Sequence, residues 1–305
     1  MHQQLETVVN QLNEIILGKK DQIKLALVCL LAKGHLLIED LPGMGKTTLA
    51  HALAKVLGLD FQRIQFTSDL LPADIIGSAI YRRSDETFKF HQGPIFTQVI
   101  LADEVNRATP KSQSALLEAM EEYQVTSEGV SRKLPEPFFV IATQNPFHQI
   151  GTYPLPESQL DRFLIRISLG YPAQEVERLL FKGQETRIQI EALQSVLNAE
   201  KLLAFQREVE AVTVTDTLLD YLQALVAATR NSTQWSHGLS PRGGLALLKA
   251  AKAWALLEGR DFVVPEDIQA VWEPVASHRL MNQTGTSAAG SSPVLAILES
   301  TEIPR

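Results

Sequence analysis

The segment from His35 to Thr48 constrains the fold of this chain more than any other. His35-Leu36-Leu37-Ile38-Glu39 is a short, strongly apolar run, the length of one buried strand. It feeds into the glycine-bearing turn Gly43-Met44-Gly45-Lys46-Thr47-Thr48, and helical spacing follows over residues 47–57. Strand, glycine turn and helix in this order make a phosphate-binding loop. Gly43 and Gly45 let main-chain N–H groups approach phosphate oxygens with no Cβ in the way. The helix N-terminus near Lys46 adds the positive end of its dipole. Lys46 brings a compact cation for the β and γ phosphates, and the Thr47 hydroxyl is placed to bind magnesium. Asp40 departs from the strict pattern G-x-x-x-x-G-K-[ST], which has glycine there. It ends the strand, where extended backbone needs no glycine, so the loop reads as intact.

Val99-Ile100-Leu101-Ala102-Asp103-Glu104 is a second apolar strand, and it ends in two acids. Beside a phosphate-binding loop, one such acid serves the magnesium shell, here Asp103. The other orients the attacking water, here Glu104. Hydrolysis of ATP with Mg2+ follows as the expected chemistry.

Two further buried strands read over residues 138–143 and 163–169. An amphipathic helix is expected over residues 5–16, closed by Gly18, and an apolar helix over residues 23–32, closed by Gly34. Apolar strands alternating with helices predict an α/β fold, a mostly parallel sheet with helices on both faces. Beyond Pro172 the spacing is helical, over residues 199–212, 216–229, 242–258 and 265–277, which predicts a smaller all-helical domain. The expected division is residues 1–171 for the nucleotide-binding core, 172–280 for the helical lid and 281–305 for a flexible tail. Within that tail, residues 282–292 are small and polar and expected to be disordered. Residues 293–298 show only a weak tendency to dock.

Charge argues against a dedicated nucleic-acid binder: the net is −3 over residues 1–170 and −4 over residues 171–305, with no basic half. Cys29, the single cysteine, lies in an apolar run and reads as buried, and no internal disulfide can form. No run approaches the length of a membrane span and the N-terminus has no secretory pattern, so a cytoplasmic location is expected.

The run Asp103-Glu104-Val105-Asn106-Arg107-Ala108, with Lys111 to Glu122 behind it, resembles the MoxR family of AAA+ ATPases. Ala142-Thr143-Gln144-Asn145-Pro146, Gly151 to Glu157, Gln159-Leu160-Asp161-Arg162-Phe163, Gln65 to Asp74 and Gly93-Pro94-Ile95-Phe96 fit the same family. The resemblance runs from about Leu12 to Ile268, and Glu39-Asp40-Leu41-Pro42-Gly43 is similar to a variant of the loop in that family. It implies that residues 41–48, Leu41-Pro42-Gly43-Met44-Gly45-Lys46-Thr47-Thr48, hold the nucleotide phosphates, with Gly18 against the adenine and Thr47 and Asp103 on the metal. Asn145 would be sensor 1, near the attacking water. Arg162 would be an arginine finger reaching a neighbouring subunit's site, and Arg242 would be sensor 2, acting either on its own subunit or on a neighbour. Arg107 would contact an adjoining subunit or cap its loop.

Two insertions mark this clade, about residues 70–91 with a turn at Asp85-Glu86-Thr87, and a β-hairpin over about residues 125–134. The resemblance implies a ring, commonly a hexamer, that acts as a chaperone-like remodeller of client proteins with a von Willebrand factor A domain partner. A magnesium-chelatase-like motor subunit and a helicase-like nucleic-acid motor are the alternatives. The latter would rely on Arg82, Arg83, Lys89, Arg132 and Lys133 in the insertions.

Overall fold

The structure, a computed structural model, describes residues 2–84, 86–145, 151–181, 190–280 and 293–303. Five parallel strands form the central sheet: β1 (Leu36–Glu39), β2 (Phe61–Gln65), β5 (Val99–Asp103), β8 (Phe139–Gln144) and β9 (Ile165–Ile167). Their order is β2-β5-β8-β1-β9. Side chains alternate between faces, as a strand's period of two requires. Leu36, Ile38, Val99, Leu101, Phe139 and Ile141 face one apolar cluster, and Leu37, Ile100, Ala102, Val140 and Ala142 face another. The first cluster continues through α1 (Gln3–Ile15), α2 (Lys20–Leu31) and α3 (Lys46–Val56) into the C-terminal helices. The second is closed by α5 (Pro110–Glu122), which follows a single-turn 3-10 helix at Val105–Arg107.

The insertions are two hairpins. After the short helix α4 (Pro72–Ile76), β3 (Gly77–Arg82) pairs antiparallel with β4 (Thr87–Gln92). Glu86 in the expected turn has φ +50°, and Asp85 lies outside the described residues. β6 (Gln124–Ser127) pairs with β7 (Val130–Lys133) around Glu128 and Gly129, both at positive φ, the geometry of a tight hairpin turn.

Beyond β9 the described elements are helical: α6 (Glu157–Leu160) precedes that strand, and α7 (Gln174–Phe181), α8 (Ala199–Ala211), α9 (Asp216–Asn231), α10 (Pro241–Leu257) and α11 (Pro265–Ala276) follow it. Ser240, Thr215 and Asn198 each cap a helix N-terminus by accepting an N–H three residues on.

Three expectations need correction. β2 was not foreseen: it is a polar edge strand with one buried residue, Ile64, and hydrogen bonds to β5 hold it. Gly34 does not supply the left-handed residue that ends α2; Lys33 does, at φ +55°. Gly34 is required for space, because a Cβ there would meet Leu164 at 2.3 Å. The flexible tail does not extend over residues 293–300. They form a helix, α12 (Pro293–Ser300), in which Val294 and Ile297 are buried and the Val294 carbonyl accepts from Trp272 Nε1 at 2.7 Å. Residues 281–292 lie outside the described residues. Among the described residues no helix is long and apolar enough to cross a membrane.

Candidate functional site

Three adjacent strands end at the site. The phosphate-loop sequence follows β1, Asp103 ends β5 with Glu104 next, and Asn145 follows β8. The order β5-β8-β1 sets these three ends side by side. Gly43 and Gly45 have φ +84° and +87°, and a Cβ on either would meet nothing within 4 Å, so the concave side of the loop is open. Lys46 opens α3 and is largely buried. Its Nζ donates to the main-chain carbonyls of Asp40 at 2.6 Å and Leu41 at 3.0 Å, and to Asn145 Oδ1 at 3.4 Å. Burial lowers the pKa of its ammonium, and the carboxylates of Asp40, Asp103 and Glu104 oppose that shift.

Thr143, fully buried, joins the two acids. Its hydroxyl donates to Asp103 Oδ1 at 2.6 Å and accepts the Glu104 main-chain N–H at 2.9 Å. The other Asp103 oxygen accepts from Arg63 Nη2 at 2.6 Å and Nε at 3.1 Å. Glu104 sits at φ +56°, a left-handed conformation uncommon for a non-glycine residue. Its carboxylate accepts from Arg107 at 2.8 Å, Gln65 at 3.2 Å and Asn145 Nδ2 at 3.5 Å. Arg107 is thus bound within its own loop, and the Glu104 carboxylate raises its pKa. Arg63, Gln65 and Thr143 were not singled out as site residues by sequence reasoning. The first two lie on the unforeseen β2 beside β5; Gln65 opens a family-like run, and Arg63 carries no signal in the sequence.

The donor set fits a magnesium nucleotide. Among the described residues no group of three or more His, Cys, Asp or Glu could hold a metal alone. Thr47, exposed on the first turn of α3, and Asp103 leave most of a coordination shell to phosphate oxygens and water, which is how magnesium is commonly bound. Gly18, at φ +71° after α1, abuts Val176 of α7, which a Cβ would meet at 3.6 Å.

Arg162 and Arg242 are not part of this cluster. They lie at the N-terminal ends of the parallel strands, beside Gly34 and His35 and at the opposite end of β1 from the phosphate loop. Arg162 donates to the Leu117 carbonyl at 2.9 Å and pairs with Glu121, and Arg242 donates to the same Glu121 carboxylate at 3.2 Å. Asp161, beside Arg162, is bound by the buried Arg279 at 2.7 Å. Glu121, Asp161, Arg162, Arg242 and Arg279 line an open cleft of about 230 Å³ together with Lys249.

A parallel sheet with a phosphate loop after β1, an acid pair after β5 and a helical C-terminal part defines an AAA+ ATPase. Residues 35–165 match the model of the ATPase family associated with various cellular activities (AAA), and residues 227–295 match that of the AAA lid domain. The chain is 42% identical over 303 residues to Chaperone MoxR1 of Mycobacterium tuberculosis, covering 96% of this chain and 80% of that protein. It is 48% identical over 281 residues to the uncharacterised protein YeaC of Bacillus subtilis, with 92% and 88% covered. A crystal structure of a protein assigned as an ATPase from Cytophaga hutchinsonii superposes with a TM-score of 0.89 at 38% identity, covering 99% and 96% of the two chains. The chain belongs to the MoxR family.

Proposed function

We propose that the chain hydrolyses ATP with Mg2+ at a site shared between subunits of a ring, and uses the cycle to remodel client proteins. The observation that carries this reading is the division of the site's parts. Lys46, Asp103, Glu104 and Asn145 gather at the C-terminal ends of the strands, while Arg162 and Arg242 gather at the N-terminal ends around Glu121. A head-to-tail neighbour would bring the second group to the first. On this reading Arg242, which shares Glu121 with Arg162, acts in trans beside it.

In this mechanism residues 41–48 hold the phosphates and Lys46 exchanges its two carbonyl partners for phosphate oxygens. Thr47 and Asp103 would hold the metal, which would supply positive charge to offset that of the phosphate oxygens. Glu104, freed from Arg107, orients the attacking water and accepts its proton, with Asn145 beside it. Arg162 and Arg242 from the neighbour stabilise charge that develops on the transferred phosphoryl group. Residues 1–171 serve as the core and 172–280 as the lid, with Gly18 facing the adenine at their junction.

The client reading rests on the family and on the similarity to Chaperone MoxR1. A von Willebrand factor A domain protein is the proposed partner. The test is a pull-down with the Glu104→Gln variant in ATP, in which blocked hydrolysis holds the ring on its partners. Protein clients with such a partner are expected. Recovery of nucleic acid, or of chelatase subunits, would overturn the remodeller reading.

A further inference from the structure

Asp40 occupies the place where the strict loop pattern has glycine, and its side chain is not idle. It is 6% exposed. One carboxylate oxygen accepts the N–H of Leu41 at 3.0 Å. The other accepts from the N–H of Leu169 at 2.6 Å, the N–H of Gly170 at 2.7 Å and the Ser168 hydroxyl at 3.2 Å. Four donors thus converge on one buried carboxylate, a strong charge-assisted arrangement. Residues 168–170 are the connection from β9 into the C-terminal helices. Gly170 has φ +61° with nothing within 4 Å of a Cβ, so the chain turns there in open space.

The preceding residue reinforces the same connection from the other side of the strand. Glu39 accepts from Gln144 at 3.0 Å and from Arg166 at 2.8 Å, and Arg166 also donates to Ser277 at the end of α11 at 3.2 Å. Meanwhile the main-chain carbonyl of Asp40 is the shorter of the two carbonyl contacts of Lys46, at 2.6 Å. One residue therefore holds the phosphate-loop lysine by its backbone and the start of the lid by its side chain.

We propose that Asp40 is a positioning residue that couples phosphate binding at Lys46 to the lid through residues 168–170. The proposal rests on reading the loop as the ATP site. When Lys46 leaves the Asp40 carbonyl for a phosphate, the Asp40 peptide loses its cation. The carboxylate transmits that change to the joint at Gly170. A glycine at this position would leave the Leu169 and Gly170 amides without their acceptor and the joint uncoupled.

The Asp40→Gly substitution makes the loop conform to the strict pattern, so loop sequence alone predicts an enzyme at least as good. The coupling predicts the reverse: ATP affinity by calorimetry within about threefold of the natural protein, kcat lower by about tenfold or more. Hydrogen exchange over residues 168–176 is the second readout. Without nucleotide, those amides exchange faster in Asp40→Gly. On adding ATP the natural chain changes their protection, and the variant does not. Asp40→Asn, which keeps one carbonyl acceptor and the side-chain volume, falls between the two and serves if the glycine variant melts early. Wild-type kcat together with unchanged exchange at Leu169 and Gly170 would overturn the proposal. If the natural chain binds no ATP, the site reading fails, and nucleotide-free exchange still reports whether Asp40 holds the joint.

Discussion

Thr143 shows how much one buried hydroxyl decides. It has a donor and an acceptor role at once, and no water can replace either inside the sheet. Thr143→Val keeps the shape and leaves Asp103 and the Glu104 N–H each short of a partner, which costs about 1–3 kcal/mol. Loss of that amount in urea denaturation is expected together with loss of turnover, and Thr143→Ser restores both. Glu104→Gln is expected to bind ATP and lose about 100-fold or more in kcat; turnover near the natural rate would remove Glu104 as the base. His35 sets an acid limit. Its Nδ1 accepts the Val140 N–H at 3.0 Å and its Nε2 donates to the Met120 carbonyl at 3.0 Å, so the ring is neutral. Burial pushes its pKa down to about 4. The unfolded chain binds that proton near the ordinary value of about 6.5, so it holds more protons than the native chain between the two values. Stability from this residue therefore falls as pH drops from about 6.5 to about 4, by about 3 kcal/mol in all. The buried His278, also lowered, adds to the fall. Denaturation midpoints at pH 7.5 and 5 check the sign, and His35→Gln should be weaker at pH 7.5 with a shallower slope. At this scale Lys46, Asp103 and Glu104 were legible because glycines and paired acids at strand ends are rare in combination. Thr143 and Arg63 were not, because a threonine inside an apolar strand and an arginine on a polar one carry no mark of their partners.

Among the elements, the two hairpins are joined rather than separate. The Arg132 guanidinium lies 3.7 Å from the centre of the Phe90 ring, and Phe90 meets Phe96 edge to face at 6.0 Å. Arg132 is further held by the carbonyls of Ser127 and Val130. Tyr81 and Phe88 remain exposed on the same face as Phe90. A double-mutant cycle with Arg132→Met and Phe90→Leu is expected to give a coupling of about 0.5–1 kcal/mol. A null coupling would mean that the hairpins move independently. Helix and strand positions were readable where one face is buried, since the apolar spacing then records the neighbour. β2 and α12 escaped for opposite reasons: β2 offers the core little beyond Ile64, and α12 is a short apolar run whose partner, Trp272, lies across an intervening polar stretch. Val294→Asp is expected to release α12 and expose Trp272, read as a red-shifted emission and a lower melting temperature.

For the molecule as a whole, the fold class was legible because parallel strands buried on both faces read as continuous apolar runs. The neighbour order β5-β8-β1, which assembles the site, was not, since no local pattern states which strands touch. The proposed division of labour predicts that Arg162→Ala retains ATP binding and loses about 1,000-fold in turnover; full activity would end the shared-site reading. It also has a consequence for symmetry. Lys46 lies at the C-terminal ends of the strands and Arg162 at the N-terminal ends, so under the proposed sharing the surface a subunit offers differs from the surface it receives. Two copies related by a two-fold axis could exchange arginines only if both surfaces fell within one interface, whereas under the proposed sharing a directional chain of copies, closed on itself, would use each surface once and supply every site. Two inactive variants, Lys46→Ala and Arg162→Ala, should then revive each other when mixed before assembly, because about a quarter of random junctions join an intact loop to an intact arginine.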